Sequence, residues 1–281
     1  MSNYRRVLIP IDLMPGRQMT APTVRQIVDT SDVEITLLHV VDSQPWTGRS
    51  GHTLRLMTEL EILANRRFRG AHTARRIEWG RPADCILNVL RTDRYDLVLM
   101  TAGGDTQMRD PLGSVAAEVL AEAPCPVLLE WPINPPLNQA RAHPVCCAIE
   151  WDGNETNLVR EATSVAAQCA SPLILIAPVT VTVSTGPALW DPASRDGEVA
   201  GVRRRVEELR DRVAPGASVH VEAGHPTSVL SRALRLHGAG LLVAGGSRET
   251  LVASEGQCPV LYRGRARRAV ESREFVGGRT A

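Results

Sequence analysis

The chain has 281 residues, 31 of them acidic and 32 Lys or Arg, for a formal net charge of +1. So even a balance supplies no bulk field for nucleic acid or an anionic membrane. All 32 of those basic residues are arginine, which excludes phosphate-loop and Schiff-base chemistry that needs lysine.

The first apolar run, residues 7–11 (VLIPI), is closed by Asp12. It is too short for the apolar core of a signal peptide, and a cytoplasmic location is expected. Strand-length apolar runs follow at 34–41, 72–79, 96–101 and 126–130. Between them lie helical stretches at 20–29, 52–69, 83–92 and 114–122, with Leu56, Leu60 and Leu63 marking one apolar face of the second. Such alternation predicts a parallel sheet covered on both faces and joined by right-handed crossovers. Residues 131–144, with four prolines, read as a stiff linker.

The pattern restarts at VCCAIE (145–150) and continues with LILIAPV (173–179). A polar loop over 180–197 precedes a helix at 199–213, whose Val199, Val202, Val206, Leu209 and Val213 keep a three-four spacing. The uncharged run 169–190 approaches the length of a membrane span. Its three prolines and one glycine make it a buried strand followed by a loop. Beyond Gly264, five arginines in residues 265–281 read as a solvated terminal tail. The six cysteines contain no CxxC pair, and adjacent Cys146 and Cys147 should point to opposite faces of a strand as small buried hydrophobes.

The second half repeats the first. WGRPADCILNVL (79–90) returns as AGHPTSVLSRAL (223–234), so Gly80 and Pro82 recur as Gly224 and Pro226 at an offset of 144. YDLVLMTAGG (95–104) returns as GLLVAGG (240–246), where matching Ala102 to Ala244 gives an offset of 142. CPVLLE at Cys125 returns as CPVLYR at Cys258, at an offset of 133. Between double glycine and cysteine there are 20 residues after Gly104 but 11 after Gly246, so the second copy is shortened near its last helix. The expected architecture is α/β, with two tandem doubly wound parallel-sheet domains. Domain one spans 1–131, the linker 132–143, domain two 144–264 and the tail 265–281.

In such sheets ligands sit beyond the carboxyl ends of the strands, where the strand order reverses. The residues so placed are Asp12, the backbone around Val40 and Val41, and the loop 101–114. That loop ends in Gly113 and Ser114 at a helix start, where unpaired N–H groups and the helix dipole favour an anion. An aspartate after a strand can also cap a turn, and a serine can simply cap a helix, so both residues have a structural reading beside the functional one.

VLIPID, LLHVVD, DLVLMTAGG and LGSVAAEVLAEAPCPVLLE together resemble the universal stress proteins, and the repetition resembles their tandem two-domain members. The resemblance covers about residues 4–131 and 143–263. It implies a stress-response regulatory or sensor protein whose cofactor is ATP with magnesium, bound in domain one only. By position it assigns Asp12, Val40, Gly103, Gly104, Gly113 and Ser114 to that nucleotide, with the Val40 backbone meeting adenine and Gly113–Ser114 meeting phosphate. It further implies intramolecular pairing of the domains through their last strands, with a homodimer as a further partnership.

ATP-binding members carry GxxGx9G(S/T). Counting back from Gly113 places Gly103 second and Met100 first, whereas aligning the strand gives Gly104 and Thr101. Either way the first glycine is absent, and Asp105 and Asp110 stand against Arg109 in the loop. These departures carry the alternative reading, a nucleotide-independent interaction scaffold or small-ligand binder. Domain two has Glu150 or Asp152 at the Asp12 position and no Gly-Ser motif between its double glycine and Cys258, so no nucleotide site is expected there. GxSxG, HExxH and paired-carboxylate signatures are absent, and no catalytic residue is assigned; weak ATP hydrolysis is the most the chain could offer. The histidines, His220, His225 and His237 among them, have no ligand spacing, and no metal is assigned.

Overall fold

A computed structural model describes residues 4–13, 27–28, 32–42, 49–103, 112–131, 143–180 and 192–264. The first half contains β1 (Arg6–Pro10), β2 (Glu34–Val41), α1 (Arg49–Arg67), β3 (His72–Trp79), α2 (Pro82–Asp93), β4 (Leu97–Thr101), α3 (Ser114–Glu122) and β5 (Val127–Glu130). The second contains β6 (Val145–Ala148), α4 (Glu155–Gln168), β7 (Leu173–Val179), α5 (Pro192–Val213), β8 (Ser218–Ala223), α6 (Pro226–His237), β9 (Leu241–Gly245), α7 (Arg248–Val252) and β10 (Val260–Arg263).

All ten strands among the described residues join one sheet in the order β3-β2-β1-β4-β5-β10-β9-β6-β7-β8. Every described pairing is parallel except β5 with β10, where Leu128 lies opposite Leu261 and Val127 opposite Tyr262. Because strand side chains alternate between faces, the sheet feeds two cores. Val7, Ile9, Leu97 and Leu99 face the layer of α1, with Leu60 and Phe68. Leu8, Val98 and Leu129 face the layer of α2, α3 and α6, with Leu90, Val119 and Leu234. Cys146 and Cys147 divide between these two cores.

Both Gly-x-Pro turns open helices, at Pro82 and Pro226, where a proline in the first turn forfeits no intrahelical bond. Gly80 and Gly224 take φ of +139° and +154° in these turns, a conformation closed to most side chains. Helix α5 starts earlier than the spacing of its valines suggests. It begins at Pro192, so 192–197, read from sequence as the end of a polar loop, are helical. The helix expected at 20–29 lies outside the described residues except for buried Ile27 and Val28, as do most of the linker and the tail.

Among the described residues, side-chain polar contacts join the halves in addition to the β5–β10 ladder. Tyr4, ahead of β1, donates from its hydroxyl to Glu161 Oε1 of α4 at 2.9 Å, and Arg263 at the end of β10 grips the same carboxylate with Nε and with Nη2, the latter at 3.0 Å. Trp131 donates from Nε1 to the buried Ser254 hydroxyl at 3.1 Å.

Backbone bonds also fix which residues of the halves correspond. Val98 N–H bonds Pro126 O as Leu242 N–H bonds Pro259 O. Val7 pairs with Leu97 as Val145 pairs with Leu241. The offset between β4 and β9 is therefore 144, as it is at Gly80 and Gly224, and Thr101 corresponds to Gly245. The Ala-Gly-Gly strings that look alike in sequence are two residues out of structural register.

Candidate functional site

The order β3-β2-β1-β4-β5 reverses direction between β1 and β4. At such a reversal a crevice opens at the carboxyl ends of the two adjacent strands. Asp12 lies there as an exposed residue just past β1. Ile11 N–H donates to Leu38 O at 2.7 Å, and His39 Nδ1 donates to Ile11 O at 2.9 Å, so the exit of β1 is tied to β2 from both sides. Val40 follows on β2, partly buried, in register with Glu78.

Across the crevice Gly103 follows β4 by two residues, and its N–H bonds Leu112 O at 3.3 Å. This bond closes the mouth of the intervening loop and brings Gly103 beside Gly113 and Ser114. Gly104, assigned from sequence to the same site, lies outside the described residues. Gly113 precedes α3 with φ +74° and ψ 154°, a conformation that suits glycine. As the N-cap residue, Gly113 supplies no side-chain bond to the first N–H groups of α3, a bond that a Ser, Thr, Asp or Asn would make there. Thus Asp12, Val40, Gly103, Gly113 and Ser114 gather at the carboxyl ends of β1, β2 and β4. Met100, at the first motif position in one alignment, instead faces the core, 6% exposed.

The corresponding place in the second half lies between β6 and β9. Ile149 N–H bonds Ile176 O at 2.8 Å, as Ile11 N–H bonds Leu38 O, which settles the register and makes Glu150, not Asp152, the counterpart of Asp12. The Glu150 carboxylate accepts from Ser247 N–H at 3.0 Å, from the Ser247 hydroxyl at 3.1 Å and from the Thr250 hydroxyl. A Cβ at Gly246, where φ is +78°, would collide with that carboxylate. The counterpart of Val40 is Pro178, because Gly224 N–H bonds Val179 O as Gly80 N–H bonds Val41 O. Proline has no N–H to offer a ligand. The nine-residue α3 is replaced by the five-residue α7. A cavity of about 270 Å³ remains, lined by Ile149, Glu150, Trp151, Pro178, Pro226 and Thr250 among others.

Sequence reasoning missed the bond that His39 makes, since the residue looks like one more strand position. It also missed the filling of the second crevice by Glu150. The signal for that was the Ser247 and Thr250 hydroxyls at the start of a truncated helix, legible only once β6 and β9 are neighbours.

Together the sheet and its two switch points define a doubly wound α/β protein. Residues 3–129 match the model of the universal stress protein family. A universal stress protein of Methanocaldococcus jannaschii is 28% identical over 143 residues, 45% of this chain and 81% of that protein. The crystal structure of a universal stress protein from Archaeoglobus fulgidus superimposes with a TM-score of 0.68 at 17% identity, covering 94% of this chain and all of the other. A functionally unknown protein of Pseudomonas aeruginosa has a TM-score of 0.64 at 15% identity, over 93% of each chain. The first half of the chain thus matches the universal stress protein family in sequence, and the fold over both halves is shared with these larger structures.

Proposed function

We propose that this chain is a stress-response regulatory or sensor protein that binds magnesium-ATP in its first half, with the second half serving as a structural partner. The observation that carries the reading is the asymmetry of the two switch points. In the first, Asp12 is exposed and the start of α3 follows a positive-φ glycine with no side-chain cap. In the second, a carboxylate already occupies the hydrogen-bond donors at the start of α7. A triphosphate brought there would meet like charge at contact distance, which is repulsive at any plausible local dielectric.

In this reading Val40 offers its backbone to the base, Asp12 faces the ribose, and Gly103, Gly104, Gly113 and Ser114 surround the phosphates. The domain division at 131 and 144 belongs to the same proposal. The test is extraction of nucleotide from freshly purified protein, followed by magnesium-ATP titration of the emptied chain. Saturable, magnesium-dependent binding supports it, and none overturns it.

A second reading, a nucleotide-independent scaffold or small-ligand binder, is favoured by one observation. Met100 and Thr101 stand where ATP-binding members carry their first motif glycine. It predicts that the emptied protein ignores ATP.

A further inference from the structure

The rim of the second half holds a side-chain cluster that the nucleotide reading does not use. On edge strand β8, His220 and Glu222 are two residues apart and share a face. Helix α6 carries Arg232 and, at its last position, His237 toward them. Arg232 grips the Glu222 carboxylate through Nε at 3.2 Å and through Nη2. Glu222 Oε2 lies 3.3 Å from His220 Nε2, and His220 Nδ1 lies 3.2 Å from His237 Nε2. The two rings meet edge-on, with centroids 5.1 Å apart and planes at 88°.

The protons in this chain of contacts can be placed. An ionised carboxylate only accepts, so His220 Nε2 carries the N–H that reaches Glu222. Neutral His220 therefore has a bare Nδ1 lone pair on the side of His237. This is the tautomer, and the backing carboxylate, that commonly orient a metal-bound histidine. The separation fits as well. With nitrogens 3.2 Å apart and ordinary zinc–nitrogen distances, an ion equidistant from both subtends an angle of about 100°, close to tetrahedral.

We propose that His220 Nδ1 and His237 Nε2 form a two-histidine clamp for a borderline divalent cation, Zn2+, Ni2+ or Cu2+, with Glu222 as its positioning residue. The cation takes the place of the proton shared between the rings. His237 then carries its proton on Nδ1 instead of Nε2, so the neutral pair binds the ion without net proton release once each ring turns its lone pair from the facing nitrogen toward the ion. Imidazole pairs suit these metals, whereas Mg2+ and Ca2+ demand oxygen ligands. Among the described residues no group of three His, Cys, Asp or Glu side chains converges as a metal site. Solvent completes the coordination, and the clamp is an exchangeable site rather than a structural one. His225 takes no part, because it caps the opposite end of α6. The site is independent of the nucleotide reading.

The test is calorimetric titration of Zn2+ and Ni2+ into the full chain at pH 7.5. Wild type, His220→Ala, His237→Gln, Glu222→Gln and His225→Ala are compared, with circular dichroism melts confirming that each is folded. One saturable equivalent is expected in wild type, weakened at least tenfold by either clamp variant, about tenfold by Glu222→Gln, and unchanged by His225→Ala. The Cu2+ electron paramagnetic resonance spectrum of wild type should show two equatorial nitrogens. Wild-type affinity in both clamp variants, or an oxygen-only Cu2+ spectrum, overturns the proposal. The spectrum needs no variant, so a misfolded variant leaves the test intact.

Discussion

Glu150 stands in the second half where Asp12 stands in the first, each one residue beyond an isoleucine whose N–H bonds the neighbouring strand, at 2.8 and 2.7 Å. Asp12 is exposed. Glu150 is held by Ser247 and Thr250. One methylene of extra length lets a carboxylate reach across the crevice, and the shortened α7 brings the donors to meet it.

Replacing Glu150 with alanine should therefore destabilise the protein without opening a second nucleotide site. Removal leaves the Ser247 N–H and two hydroxyls without their acceptor in a partly buried place, a cost of about 1–3 kcal/mol. The midpoint of urea unfolding should fall accordingly, and the ATP stoichiometry should stay the same, since Pro178 still lacks an N–H.

The junction of the halves should be sensitive to apolar truncation. Leu128 and Leu261 lie opposite each other in the antiparallel β5–β10 pair, both 0% exposed. Leu261→Ala should cost about 2–5 kcal/mol, the range for a fully buried leucine whose site cannot collapse. Limited proteolysis should cut this variant faster than wild type.

Alkaline stability should report the Tyr4–Glu161 contact. Burial, and then the neighbouring Glu161 carboxylate, push the Tyr4 hydroxyl well above the ordinary tyrosine value of 10.0. Folded Tyr4 thus keeps its proton where an unfolded tyrosine loses it. The stabilisation is complete below pH 10 and is lost as pH rises beyond it, at up to about 1.4 kcal/mol per pH unit. Tyr4→Phe should flatten that slope in urea titrations between pH 9 and 11, and an unchanged slope would contradict the account.

The cysteines should be slow to react. All six are free, and burial pushes the thiols of Cys125 and Cys146 up to about 12 and raises those of Cys147 and Cys258 further. Since the thiolate is the nucleophile, alkylation at pH 8 should spare these four until denaturant is added. Peptide mass spectrometry reads the pattern directly.

Much of the fold was legible because its signals are local. Gly80-Arg81-Pro82 and Gly224-His225-Pro226 announce helix starts whatever lies around them, and the valine spacing of α5 announces its buried face. Registers between distant segments were not legible in the same way. The Ala-Gly-Gly match at 102 and 244 is compelling in sequence and wrong by two residues in space, because only the ladder against β1 and β6 fixes it. The start of α5 at Pro192 was hidden because polar residues and prolines read as loop until a helix is seen to tolerate one at its first turn. Of the first crevice, Asp12, Val40 and Gly113 were readable from the ends of strands and the start of a helix. The meeting of His220 with His237 was not, since it depends on how α6 crosses β8.

The central claim, one nucleotide site in a chain with two similar halves, is tested most directly by calorimetric titration of magnesium-ATP into nucleotide-free wild type, Asp12→Ala and Gly113→Val. The account predicts about one equivalent bound by wild type and binding lost or weakened at least tenfold in both variants. No saturable binding by wild type, or two equivalents, would contradict it.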